Sequence, residues 1–230
     1  MLSYSAVIYM KNNFDAVIFD FDGTVADTGK GVFRCIKESI KKSGLPELSE
    51  ESLRTFIGPP LHDSFIRECS VDFETADILV KQFREVYSVS GVFEFDIYDG
   101  LEELLTLLNK EGVKTGIGSS KPQDFVKVIL ESVNLEEKFD AIVGSDPRTV
   151  ESSKTEIISK CIENFDLPED AKILMIGDRM FDIDGAHSVG IPCAAVLFGY
   201  GSEEEFKEHE AEYIVKDTNE LKKIIFDERG

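Results

Sequence analysis

One segment constrains this chain more than any other: Asp15 to Thr28, DAVIFDFDGTVADT. Ala16, Val17, Ile18 and Phe19 form a short apolar run, rich in β-branched and aromatic residues and bounded by polar ones. Such a run predicts a strand buried on both faces, the kind found in parallel sheets. It leads into Asp20-Phe21-Asp22-Gly23-Thr24. Strand alternation puts Asp20 and Asp22 on one side if the extended geometry continues, and Gly23 frees the backbone to turn. Two carboxylates at the carboxyl end of a buried strand stand where open α/β sheets bind ligands. The same five residues also suit an ordinary polar turn, so the decision falls to the rest of the chain.

From about Thr28 to Glu94 the pattern is helical throughout. Val32, Phe33, Ile36 and Ile40 share one face, and Gly44 ends that helix. Leu53 and Phe56 belong to a second helix, and Leu61 to Glu68 to a third. Phe73, Ala76, Leu79, Val80, Phe83 and Val86 mark a fourth. Ile57-Gly58-Pro59-Pro60 is a turn that forbids helix. Short amphipathic helices with no strand between them bury their faces on one another. Residues 28–95 therefore read as an inserted all-helical subdomain.

From Tyr98 onward short strands alternate with helices. Strands are expected at Val113–Ile117, Ala141–Val143, Ile173–Ile176, Ala194–Leu197 and Tyr213–Val215. Pro122 opens a helix as a first-turn proline, with Phe125, Val128, Ile129 and Val133 expected on its core face. This rhythm predicts an α/β fold: a Rossmann-like parallel sheet core with helices on both faces, built from residues 11–27 and 96–230.

Composition removes several function classes. A net charge of −20 opposes nucleic-acid binding, which needs clustered Lys and Arg, and opposes an anionic membrane surface. Cys35, Cys69, Cys161 and Cys193 are far apart and sit in apolar or helical contexts, as small buried hydrophobes do in a reducing compartment. The opening MLSYSAVIYM lacks a basic leader region, and no apolar run is long enough to span a bilayer. A soluble cytoplasmic protein is expected, monomer or homodimer.

Polar residues stand at four of the expected strand ends: Asp20 and Asp22, then Ser119, then Lys154 at a helix start, then Asp178 with Asp182 one helical turn later. In a parallel sheet these ends converge on one edge. Two like charges 4 Å apart repel by about 4 kcal/mol at an effective dielectric near 20, so clustered carboxylates need cations beside them. Lys154 supplies one positive charge. Carboxylate oxygens without nearby His or Cys suit a hard divalent ion, and Mg²⁺ needs few protein ligands. Metal and lysine together would let a strongly acidic chain accept a phosphate dianion.

These residues, DFDGT at 20–24, Ser119 in IGSSK, Lys154 in SSKTEII and GDRMFD at 177–182, in that order and with a helical insertion after the first, resemble the haloacid dehalogenase (HAD) superfamily. The likeness is to its phosphoglycolate phosphatase-like branch and covers nearly all of Asp15 to Phe226. It implies a Mg²⁺-dependent phosphatase of small phosphate monoesters such as phosphoglycolate, a sugar phosphate or a nucleoside monophosphate. Asp20 would be the nucleophile and Asp22 the acid/base. Mg²⁺ would be held by Asp20, the backbone carbonyl of Asp22 and Asp178, with Asp182 acting through water. Thr24, Ser119 and Lys154 would hold the phosphoryl oxygens. Where many relatives carry Thr-Asn before the lysine, this chain has Ser119-Ser120; a hydroxyl is kept.

Alternatives stand beside each role. Asp182 and Ser119 both suit helix caps, Lys121 suits a place behind the phosphate site, and Arg179 suits a pair with a neighbouring carboxylate. Arg54 and Arg67 are candidates for a substrate anion, with surface positions the commoner fate of arginine. A phosphomutase would need extra acid/base groups, and the segment after Thr28 brings no histidine. A non-catalytic ligand-binding protein would not need every motif carboxylate.

Overall fold

The computed structural model describes residues 11–146 and 153–227. Its centre is a six-stranded parallel sheet. The strands are Ala16–Phe19 (β1), Lys114–Pro122 (β2), Ala141–Ser145 (β3), Ile173–Gly177 (β4), Cys193–Val196 (β5) and Tyr213–Val215 (β6). Their order is β3-β2-β1-β4-β5-β6, so β1 is flanked by β2 and β4 and is buried at every residue. The chain winds outward from β1 in one direction, then returns to wind in the other. Between β1 and β4 the direction of winding reverses, which opens a crevice at the carboxyl ends of both strands.

Residues alternate between two apolar clusters along β1: Val17 and Phe19 face one, Ala16 and Ile18 the other. Helices Leu101–Lys110 (α5) and Gln123–Ser132 (α6) bury Leu104, Leu105, Val126 and Ile129 in the first. Lys154–Asn164 (α7) and Met180–Ser188 (α8) bury Ile157, Ile158, Ile183 and Ala186 in the second. The fold is therefore the α/β, Rossmann-like arrangement expected from the alternating pattern. Glu203–Glu208 (α9) and Thr218–Ile225 (α10) complete it.

The segment between β1 and α5 holds four α-helices: Gly29–Lys42 (α1), Glu50–Arg54 (α2), Leu61–Cys69 (α3) and Phe73–Tyr87 (α4). α4 packs on α1 and α3, and Ile36, Leu53, Phe65 and Leu79 form their shared interior. Where the chain leaves the sheet and returns to it, Ala26–Asp27 pairs antiparallel with Asp96–Ile97. A two-residue strand carries no periodicity, so nothing in the sequence announced this ribbon.

Three local expectations differ from the structure. β2 runs on to Pro122, with a shift of register against β3 between Gly118 and Pro122, so Ser119 to Lys121 lie within an irregular strand end. In α6 Ile129 is buried and Phe125 and Val133 pack against the core as expected, Val126 and Leu130 join them, and Val128 is exposed. Phe73, expected inside, is largely exposed at the start of α4 and lies against the His62 ring, 4.2 Å between centroids. All four cysteines are free thiols, three of them buried. Among the described residues no helix is long and apolar enough to cross a membrane.

Candidate active site

The first carboxylate is placed by the sheet itself. The Asp20 N–H donates to the Ile176 carbonyl at 2.8 Å, carrying the β1–β4 ladder one residue past the strand. Gly23 then turns at φ +87°, and a Cβ there would lie 2.1 Å from Asp178 Oδ2. No larger residue fits, because the turn folds down onto the carboxylate that ends β4. Asp178 is fully buried. Its Oδ2 accepts the Tyr200 N–H at 2.7 Å.

Asp182 sits in the first turn of α8. Its Oδ2 accepts the N–H groups of Asp178 at 3.2 Å and Arg179 at 3.0 Å, satisfying donors that a helix start leaves open. Its Oδ1 lies 2.6 Å from Lys154 Nζ, which is also 2.7 Å from Asp20 Oδ1. One Asp182 oxygen thus caps the helix and the other meets Lys154. Lys154 is held in place by a capping box: the Ser153 hydroxyl accepts from Glu156 N, and the Glu156 carboxylate accepts from Ser153 N. That pair fixes where α7 begins and so where the lysine departs.

Oxygens of Asp20, Asp178 and Asp182 all lie within 4.8 Å of one another. Burial, then the charges of Asp182 and Asp20, push the Asp178 carboxyl well above its ordinary range. Burial also pushes Asp182 up, to about 6, against the pull of Lys154. Burial works against the Lys154 charge too, but Asp182 and Asp20 outweigh it and the ammonium is held above its usual value. One ammonium faces three buried carboxylates. An all-oxygen donor set with an excess of negative charge fits a hard divalent cation. The Asp22 side chain stands outside this group.

Asp22 faces Lys121 instead. Lys121 Nζ lies 2.9 Å from Asp22 Oδ1 and 3.2 Å from Oδ2. The Thr28 hydroxyl donates to the same carboxylate. Ser119 is buried, and its Oγ accepts the Lys121 N–H at 3.3 Å. The Thr24 hydroxyl reaches toward Asp178 Oδ1 at 3.5 Å, and Thr24 is not among the residues lining the cavity. Arg67 pairs with Glu68 and Thr55, away from the cavity. Arg54 is exposed and likewise outside it.

A cavity of about 480 Å³ opens over Asp20, Asp22, Ser119, Lys121, Lys154 and Asp182, roofed by cap residues from Phe56 to Leu61 and from α4. Arg179 bridges the two parts: its Nη1 donates to the Ile57 carbonyl at 2.6 Å, and its Nε to Glu205 Oε1 at 3.0 Å. Tyr200 is a residue the sequence reading overlooked. Its hydroxyl donates to Asp27 and accepts the Gly29 N–H at 2.9 Å. The signal was available, because Tyr200 follows the end of β5, and strand ends were where the other site residues were found.

Residues 17–196 match the family model described as haloacid dehalogenase-like hydrolase. The chain belongs to that family and is an enzyme of its phosphatase class. It is 32% identical over 209 residues to a 5′-nucleotidase of Pseudomonas aeruginosa, covering 91% of this chain and 94% of that one. It is 30% identical over 186 residues to the tyrosine-protein kinase PtkA of Mycobacterium tuberculosis, covering 80% of this chain and 62% of that one. Its structure is similar to a predicted phosphatase from Clostridium acetobutylicum, with a TM-score of 0.85 and 39% identity over 92% of this chain and 98% of that one.

Proposed function

We propose that this protein is a Mg²⁺-dependent phosphatase of small phosphate monoesters, working through an aspartyl-phosphate on Asp20. The observation that carries the reading is Lys154 Nζ bridging Asp20 and Asp182 at 2.7 and 2.6 Å on the floor of a closed-over cavity. Residues 11–27 and 96–230 would form the catalytic core and 28–95 the cap.

Asp20 attacks phosphorus in line, the bond to the leaving oxygen breaks, and Asp22 gives that oxygen a proton. Asp22 then takes a proton from the water that attacks the phospho-Asp20, which frees inorganic phosphate and restores the carboxylate. Ser119 and Lys154 hold phosphoryl oxygens, and Thr28 with Lys121 aims Asp22. Asp20, Asp178 and the Asp22 backbone carbonyl, supported by Asp182, would hold Mg²⁺, which when bound neutralises phosphoryl charge. The cap excludes water from the bound ester.

Phosphoglycolate, sugar phosphates and nucleoside monophosphates are the substrate classes. The likeness to a 5′-nucleotidase supports the last. A net charge of −20 supports action on small metabolites without nucleic acid or membrane, and the proposed setting is the cytoplasm, as monomer or homodimer. The test is phosphate release from a panel of such esters with Mg²⁺. Release from at least one class is expected; isomer formation from a sugar phosphate without release would mark a phosphomutase, and no reaction at all would sink the reading.

A further inference from the structure

Resting on the phosphatase reading, we propose that the leaving-group side of the cavity is built for an uncharged, planar aromatic body, which makes nucleoside monophosphates the substrate class. Beyond the carboxylates and lysines of the floor, the wall includes Phe56, Leu61, Phe83, Tyr87, Phe125 and Phe181. Tyr87 of α4 meets Phe125 of α6 edge-on at 5.2 Å, so cap and core build this wall together. Aromatic faces and edges favour flat partners through offset and edge-to-face contact. A volume of about 480 Å³ lies in the range of pockets that enclose ligands of this size.

Charge argues the same way. Among the described residues lining the cavity, Lys121 is paired with Asp22, Lys154 with Asp20 and Asp182, and Arg179 with Glu205 and the Ile57 carbonyl. The remaining cation, Arg84, is exposed. Among the described residues, a carboxylate one carbon from the ester oxygen, as in phosphoglycolate, would have no uncommitted buried cation beside it, only the exposed Arg84. Burying such a charge unpaired is strongly unfavourable.

The test is steady-state kinetics of the full chain with saturating Mg²⁺ on uridine and adenosine 5′-monophosphates, ribose 5-phosphate and phosphoglycolate. Ribose 5-phosphate shares the primary leaving oxygen of the nucleotides and lacks only the base. We expect kcat/KM for at least one nucleotide to exceed that for ribose 5-phosphate tenfold or more, with phosphoglycolate lower still. Phe125→Ala should bring the ratio toward one, and Phe125→Leu serves if the alanine variant does not fold. A wild-type ratio near one, or phosphoglycolate as the better substrate, overturns this proposal and leaves the phosphatase reading standing. No phosphate from any ester of a broad panel overturns both.

Discussion

Lys121 Nζ lies 2.9 Å from Asp22 Oδ1, across 99 positions of chain, and its side chain is almost wholly buried. Burial opposes the ammonium charge, but the Asp22 and Tyr87 interactions outweigh it and hold Lys121 above its ordinary value. A raised folded value means that the stability gained from this pair is present below the unfolded lysine value and is lost as pH climbs through the folded one. The pair therefore contributes throughout the neutral range. Removing one partner from a buried pair costs about 3–5 kcal/mol, because the other charge is stranded. Urea unfolding of Lys121→Met and Asp22→Asn should show losses of that order, and the double variant should lose less than their sum. Additive losses would mean the two groups do not act as a pair.

Asp20→Asn tests the nucleophile. Lys154 keeps Asp182 as partner at 2.6 Å, so the variant should fold, with an unchanged circular dichroism spectrum. Turnover should fall by about a thousandfold or more, as it does when a covalent nucleophile is removed. Steady-state phosphate release near the parent rate would exclude Asp20 from that role.

The carboxylate cluster makes a prediction about stability as well as rate. Asp178 is raised by burial and by its acidic neighbours, and Asp182 is pushed up to about 6. A raised folded value here means that the metal-free protein loses stability as pH rises from the ordinary aspartate range through these values. Added Mg²⁺ should therefore raise Tm more at pH 8 than at pH 5. At a hundredfold excess over its Kd the gain is about 2.7 kcal/mol. Asp178→Asn relieves the repulsion while its oxygen can still accept the Tyr200 N–H. It should be more stable than the parent without metal at pH 8, and should lose most of the Mg²⁺ shift. A full Mg²⁺ shift in that variant would remove Asp178 from the ligand set.

How much of this was legible in the sequence depends on what periodicity can carry. β1 and its terminal Asp20 were legible because a four-residue buried strand leaves an apolar run with no polar break. Asp178 and Lys154 were legible because parallel strands share one carboxyl edge. The orientation of Thr24 was not, since it depends on the positive φ of Gly23 and on how closely the turn approaches Asp178. Nor was the Lys121–Asp22 pair legible as a contact. It depends on the irregular end of β2, where the register against β3 shifts. The ring of aromatics from cap and core was hidden for a further reason: Phe83, Tyr87 and Phe125 each look like helix core positions until the two bodies are brought together.

Arg179 joins the cap to the core through one hydrogen bond, from Nη1 to the Ile57 carbonyl at 2.6 Å, while Glu205 holds its Nε at 3.0 Å. A charge-assisted hydrogen bond of this kind contributes about 1.5–3 kcal/mol. If it favours the closed cap, Arg179→Ala should shift the cap equilibrium about tenfold or more toward open. KM should rise by a similar factor, because the ester must then close the cap at the expense of its own binding energy. Glu205→Gln keeps an acceptor for Nε and leaves the Ile57 contact in place, so its KM should stay within about twofold of the parent. Limited proteolysis gives an independent readout, since an open cap exposes the Ile57 to Pro60 turn. Cleavage there should be faster in Arg179→Ala and should slow again when substrate is added to an Asp20→Asn background. An unchanged KM together with unchanged cleavage would show that the bond merely tethers Arg179 and does not hold the cap down.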